Sequence, residues 1–232
     1  ESRLSPYFAR VVLGHMLRAW GVPPTRNFAR EPRSGNVSLV RGMAAVYFNL
    51  NGRRDFDPGQ DSDTGEDEGW QPATATGTGT TPVYQAEQWN LVDQGMGGFA
   101  VISSDRPPQT VRVGDLVAFA NNVSGEEEWT LGIIRWLMVR QAKSHRLGAQ
   151  IIAGKISPVG VRATTGSLQD RRFRRALLLE RGDRDKSASV ITERGFHVKG
   201  RELELRVGNQ VRPTRAGALT EGSVAFECFE LA

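Results

Sequence analysis

The sequence predicts a mainly β protein: a small antiparallel β-barrel preceded by an α-helix and followed by a second small β unit. Three observations carry that expectation. Between residues 83 and 160, β-branched and aromatic residues run in short alternating stretches separated by glycines, the pattern of a small antiparallel barrel. Beyond Pro158 four further stretches of the same kind follow, at 174–179, 188–192, 203–208 and 223–229, without helical periodicity. Residues 5–20 place apolar side chains at helical spacing.

That helix has Ser5 to cap it and Pro6 at its first position. Phe8, Val12, Met16 and Trp20 form one apolar face, and Gly21 with Pro23 and Pro24 stops it. Residues 1–24 are thus a helix and linker, 25–157 the barrel, and 158–232 a small C-terminal β domain opened by Pro158. Residues 36–50 read as strand, turn, strand, with Val37, Leu39 and Val40 before Arg41-Gly42 and Val46, Tyr47 and Phe48 after it. A helix across Met43 to Leu50 is the alternative. Residues 53–82 hold a cluster of acids followed by ATATGTGTTP, with little to bury, and read as a disordered insertion. Asp61-Ser62-Asp63 opens like a calcium loop, but the turn glycine and closing glutamate are out of place, so no metal is expected there. Strands are then expected over 83–92, 99–103, 110–122, 129–141 and 146–154. Trp129 and Trp136 are read as core residues.

Composition narrows the function. The chain has 232 residues, 39% hydrophobic and 24% charged, as in a globular protein of one large or two small domains. No apolar run is long enough to cross a bilayer. The first residue is Glu1, no cleavable leader follows it, and the chain reads as an excised piece of a longer one. Cys228 is the only cysteine, which excludes an internal disulfide framework and fits the cytoplasm. Three scattered histidines cannot make a zinc site. There is no nucleophile elbow, no phosphate-binding loop and no paired acid in an apolar setting, so an enzyme is not expected. The net charge of +4 is unevenly placed, with acids at 55–68 and arginines at 162–175. Only Phe173 interleaves the basic tract, so nucleic acid is not the expected partner.

What remains is a pairing of motifs. Arg26 and Arg30 stand four apart on the linker after the two prolines. Asp93-Gln94-Gly95-Met96-Gly97-Gly98 opens a later strand. Arginine is planar, always charged and rich in donors, suited to a flat anionic ligand. This order resembles the PilZ domain, a bacterial β-barrel module that binds cyclic di-GMP. That family carries Arg-x-x-x-Arg before its first strand and Asp/Asn-x-Ser-x-x-Gly a few strands later. Val113-Gly114-Asp115-Leu116-Val117, Leu131-Gly132-Ile133-Ile134-Arg135-Trp136 and Leu147-Gly148-Ala149-Gln150 are similar to its downstream strands. The resemblance spans residues 23–157 and leaves out the first helix, the acidic insertion and the C-terminal unit.

The resemblance implies that Arg26 and Arg30 grip cyclic di-GMP, a ligand rather than a catalytic cofactor. It also implies that Asp93 accepts from guanine N1 and N2 and that Gly95 and Gly98 let the backbone come close. Gly95 stands where the family has serine, a loss on the order of 1 kcal/mol. Arg33, read as part of the same linker, and Arg135 are further candidates, each set against an ordinary solvated arginine. With Ile134 and Trp136 inward, Arg135 would point out toward the ligand. The implied role is a receptor whose linker orders on binding, a change read by an unidentified protein partner or a missing upstream domain. The alternative is a degenerate barrel that serves only as a protein interaction module.

Overall fold

The computed structural model describes residues 28–58, 84–103, 111–121, 128–140, 144–166, 172–180 and 188–232. The expected first helix, Arg26 and most of the acidic insertion lie outside them. Strands β1 (Glu31–Arg41), β2 (Glu87–Gly95), β3 (Gly98–Ser103), β4 (Leu116–Asn121), β5 (Trp129–Arg140) and β6 (Ser144–Ile151) close a barrel in the order β1-β2-β3-β6-β5-β4. Strands β7 (Lys155–Ala163), β8 (Arg174–Glu180), β9 (Ala188–Glu193), β10 (Glu202–Val207), β11 (Gln210–Gly222) and β12 (Phe226–Leu231) close a second one, β10-β11-β12-β9-β8-β7. Closure leaves no sheet edge in either. Among the described residues no helix is long and apolar enough to cross a membrane.

Three expectations need correction. The second half of 36–50 is not a strand but helix α1 (Gly42–Leu50). Gly42 takes φ +80, which turns the chain sharply out of β1. Met43, Val46 and Tyr47 then fall on one helical face and are buried. That burial outweighs the strand preference of Val46, Tyr47 and Phe48, which is always subordinate to packing. Gly52, at φ +64, follows the last turn and ends it. Second, Pro158 does not mark a break. It lies within β7 opposite Leu177, and the chain passes from one barrel to the other at 152–154. Third, β7 and β11 are strands beyond those the sequence leads one to expect. β11 is 13 residues long and mostly exposed, so it lacks the apolar alternation that betrays a strand.

The cores follow strand parity. Val37, Leu39, Trp89, Phe99, Val101, Phe119, Ile134 and Leu147 fill the first barrel, with the Phe99 and Phe119 rings 4.0 Å apart. Val159, Val161, Leu178, Val190, Leu203 and Phe229 are among those filling the second. A third cluster lies between the barrels. Leu116, Leu131 and Ile133 of the first meet Leu177, Ile191, Phe226 and Cys228 of the second, with α1 wedged in beside them. Burial of each such large side chain is worth about 1.5–3 kcal/mol, so this shared core holds the two barrels together.

Candidate functional site

The site lies on the outer face of the first barrel, and two β-bulges make it. In β2 the pairing steps from Leu91↔Val101 to Asp93↔Ala100, which leaves Val92 extra. In β5 it steps from Ile134↔Ala149 to Trp136↔Gly148, which leaves Arg135 extra. A bulge residue reverses the in-and-out alternation for everything after it. Because Ala100 also pairs with Gly148, one row runs across β2, β3, β6 and β5: Asp93, Ala100, Gly148, Trp136. The adjacent row begins Gly95, Gly98, Gln150. Asp93 and Trp136 therefore bound a floor of alanine and glycine.

The linker lies across the turn between β2 and β3. A Cβ on Gly97 would stand 2.6 Å from Cδ2 of Phe28, and one on Gly98 3.0 Å from Nη2 of Arg30. A Cβ on Gly95 would stand 2.3 Å from the carbonyl oxygen of Ala29. The Gly95 and Gly97 contacts are closer than a methylene tolerates and the Gly98 contact is tight, so these glycines make the seat on which the linker rests. Phe28 is half-exposed over Gly97.

Two arginines converge on one carboxylate. Arg30 donates from Nη1 to Oδ1 of Asp93 at 2.8 Å, and Arg146 donates from Nη2 to Oδ2 at 3.4 Å. The Arg146 guanidinium also stands over the Trp136 ring, 5.8 Å from its centroid, within cation–π range. The indole packs directly on Gly148, where a Cβ would come 2.1 Å from its Cε2. The result is a partly buried set of two guanidinium planes, one carboxylate and one indole over a flat floor. It offers stacking surfaces, anion contacts and an acceptor pair to a planar ligand.

The structure thus brings together Arg30, Asp93, Gly95 and Gly98 of the expected residues; Arg26 lies outside the described ones. Arg33 sits within β1 rather than on a linker, because Pro32 already pairs with Asp93, and it meets Glu31 at 3.4 Å in solvent. Arg135 is also placed differently. It points to the second barrel, donating from Nε to Oε1 of Gln150 at 2.8 Å and from Nη1 and Nη2 to the Glu221 carboxylate at 3.3 and 3.0 Å. The bulge is the reason: Arg135 and Trp136 both face outward, one toward each end of the same surface. Trp136 is accordingly no core residue, whereas Trp129 does pack against the shared core. Arg146 and Trp136 are the residues that strand patterns missed. Strict alternation in β6 puts Arg146 on the face of Gly148, which is the one local clue.

The family model described as "Cyclic-di-GMP receptor FimW, middle PilZ domain" matches residues 2–79 and 60–158. The cyclic-di-GMP receptor FimW of Pseudomonas aeruginosa is 23% identical over 267 residues, an alignment covering 94% of this chain and 43% of that protein. The chain therefore spans less than half the length of that relative. No solved structure matches.

Proposed function

The chain belongs to the family of the FimW middle PilZ domain, and on that premise we propose that it is a receptor for cyclic di-GMP rather than an enzyme. The observation that carries the reading is the contact between Arg30 and Asp93, 63 residues apart in sequence and 2.8 Å apart in space. It joins the linker motif to the strand motif on one floor. A bound nucleotide would meet groups matched to each of its parts. Arg30 and Arg146 can donate to guanine O6 and N7, stack on the base, or pair with phosphate. Asp93 can accept from guanine N1 and N2. Trp136 offers a face for stacking, and Arg26, four residues before Arg30, is the second linker arginine of the same grip.

The missing serine does not argue against this role. The Ala29 carbonyl stands over Gly95 where the Cβ of a side chain would go, so the linker backbone sits directly on the strand. Competition is built into the arrangement. The ligand takes over Asp93 from two arginines, and the arginines are released to the ligand. A linker that re-seats in this way changes the direction in which the preceding chain leaves the barrel. A protein partner or an upstream segment reads that change.

Titration calorimetry of the purified chain with cyclic di-GMP tests the proposal. The chain binds in the micromolar range or tighter, and Arg30→Ala weakens binding at least about tenfold, the scale of one charge-assisted hydrogen bond. No heat at tens of micromolar ligand, or an isotherm untouched by Arg30→Ala, overturns it.

A further inference from the structure

The bulge in β5 places two outward side chains next to each other, and they serve different ends of the molecule. Trp136 lies on Gly148 under Arg146, at the nucleotide face. Arg135 holds Glu221 of β11 with both terminal nitrogens and Gln150 with the third. Gln150 in turn follows Gly148 and Ala149 on β6 and pairs across to Gly98, beneath Arg30. The clasp between the barrels is thus one residue from Trp136 along β5 and two residues from Gly148 along β6. We propose that Arg135 is the positioning residue that couples occupancy of the nucleotide face to the closure of the first barrel on the second.

The inference rests on the receptor reading and extends it to regulation. A ligand that draws Arg146 and Asp93 to itself removes the cation from above Trp136. The indole, which also rests on Gly148, then loses its contact with that cation, and a base that stacks there displaces it. Trp136 directly follows the bulge, and the unpaired bulge residue is the part of β5 that the ladder holds least, so a displacement of Trp136 is passed to it. Arg135 is that bulge residue. Its fork must meet the Glu221 carboxylate in a common plane, a geometry that tolerates little rotation. Nucleotide binding therefore loosens the clasp. Linkage makes the effect reciprocal: a chain without the clasp binds nucleotide more tightly.

The molecule carries its own reporter. Cys228 is the single cysteine, 4% exposed, and belongs to the core shared by the barrels. It also lines the cleft beside Arg135 and Glu221. Its rate of reaction with a disulfide reagent such as Ellman's reads how often the barrels part. The experiment measures that rate in the full chain with and without saturating cyclic di-GMP, alongside a binding isotherm on the same sample. Two variants accompany it, Glu221→Gln, which removes the charge at nearly constant shape, and Arg135→Lys, which keeps the charge but loses the fork.

Nucleotide should raise the Cys228 rate about threefold or more in the unaltered chain. Both variants should react quickly without nucleotide, lose most of the nucleotide dependence, and bind cyclic di-GMP about threefold more tightly, the scale of one partly exposed ion pair. A merely structural clasp would raise the rate equally with and without ligand. Full binding with a Cys228 rate blind to nucleotide overturns the coupling and leaves the receptor reading intact. A nucleotide dependence that survives both variants removes Arg135 as its route. An absence of binding heat in the unaltered chain sinks the receptor reading, and the coupling with it.

Discussion

Restoring the family's serine at position 95 should weaken ligand binding, not strengthen it. A Cβ built on Gly95 comes 2.3 Å from the Ala29 carbonyl oxygen and 3.3 Å from its carbon. Both are backbone atoms, so no rotamer relieves the contact; the linker itself must lift. Arg30 follows Ala29 directly, and its Nη2 stands over Gly98 within the same seat. Overpacking of this kind costs roughly 1–3 kcal/mol. The serine hydroxyl returns about 1 kcal/mol if it finds the ligand. The net is a loss of about 1 kcal/mol, or roughly fivefold in affinity at 1.4 kcal/mol per tenfold. Gly95→Ala separates the two contributions, because it has the clash without the hydroxyl. It should lose about 2 kcal/mol, near thirtyfold. Calorimetry on the three proteins gives the order Gly, Ser, Ala from tightest to weakest. Tighter binding by Gly95→Ser than by the unaltered chain would refute the idea that the linker backbone, rather than a hydroxyl, occupies that place.

Two further outcomes follow, one from the same face and one from the core between the barrels. Gly148→Ala puts a methyl into the indole of Trp136, 2.1 Å from Cε2. The ring must leave the sheet, so tryptophan emission should shift to the red and stability fall by about 1–3 kcal/mol in a denaturant melt; unchanged emission would mean that the indole does not rest there. Burial pushes the Tyr47 hydroxyl above its usual 10.0, against the lowering pull of Arg206 and Arg175. The folded chain then keeps a proton that the unfolded chain releases, so stability is full below the ordinary tyrosine value and declines as pH rises through the raised one. Denaturant midpoints at increasing pH should show that decline, and Tyr47→Phe should flatten it; an equal decline in the variant would exclude Tyr47 as its source.

Much of the fold was legible because most strands announce themselves locally. The stretches at 99–103 and 129–141 correspond to β3 and β5 within a residue or so, and four expected C-terminal stretches correspond to β8, β9, β10 and β12. What failed depended on contacts distant in sequence. The strand preference of Val46, Tyr47 and Phe48 is real, but α1 buries its face against a surface that only the assembled barrels provide. β11 is held by pairing with β10 and β12 and needs no apolar pattern of its own. The shared core did leave a trace. Ala176, Leu177, Leu178 and Leu179 form an unbroken apolar run, and all four are buried. A strand covered on both faces reads as a continuous run rather than an alternation, so β8 already signalled that something packs outside its barrel.

The site divides along the same line. Arg30, Asp93, Gly95 and Gly98 are visible as motifs because each acts through its own chemistry or its own lack of a side chain. Arg146 and Trp136 are visible only through register. Alternation predicts that Ile134 and Trp136 share a face and that Arg135 opposes them. In the barrel Ile134 is buried inside, while Arg135 and Trp136, consecutive in sequence, both lie outside. No period-2 pattern can produce two outward neighbours, and nothing in the residues around Arg135 marks the extra one; both Ile134 and Trp136 are ordinary strand formers. The information resides in the pairing of β5 with β6, where Gly148 accepts the indole that Leu147 could not. A site assembled by bulges is therefore half hidden from any reading of one strand at a time. The inserted residue that turns Trp136 onto the floor of the site, Arg135, is also the one that meets the second barrel, at Glu221.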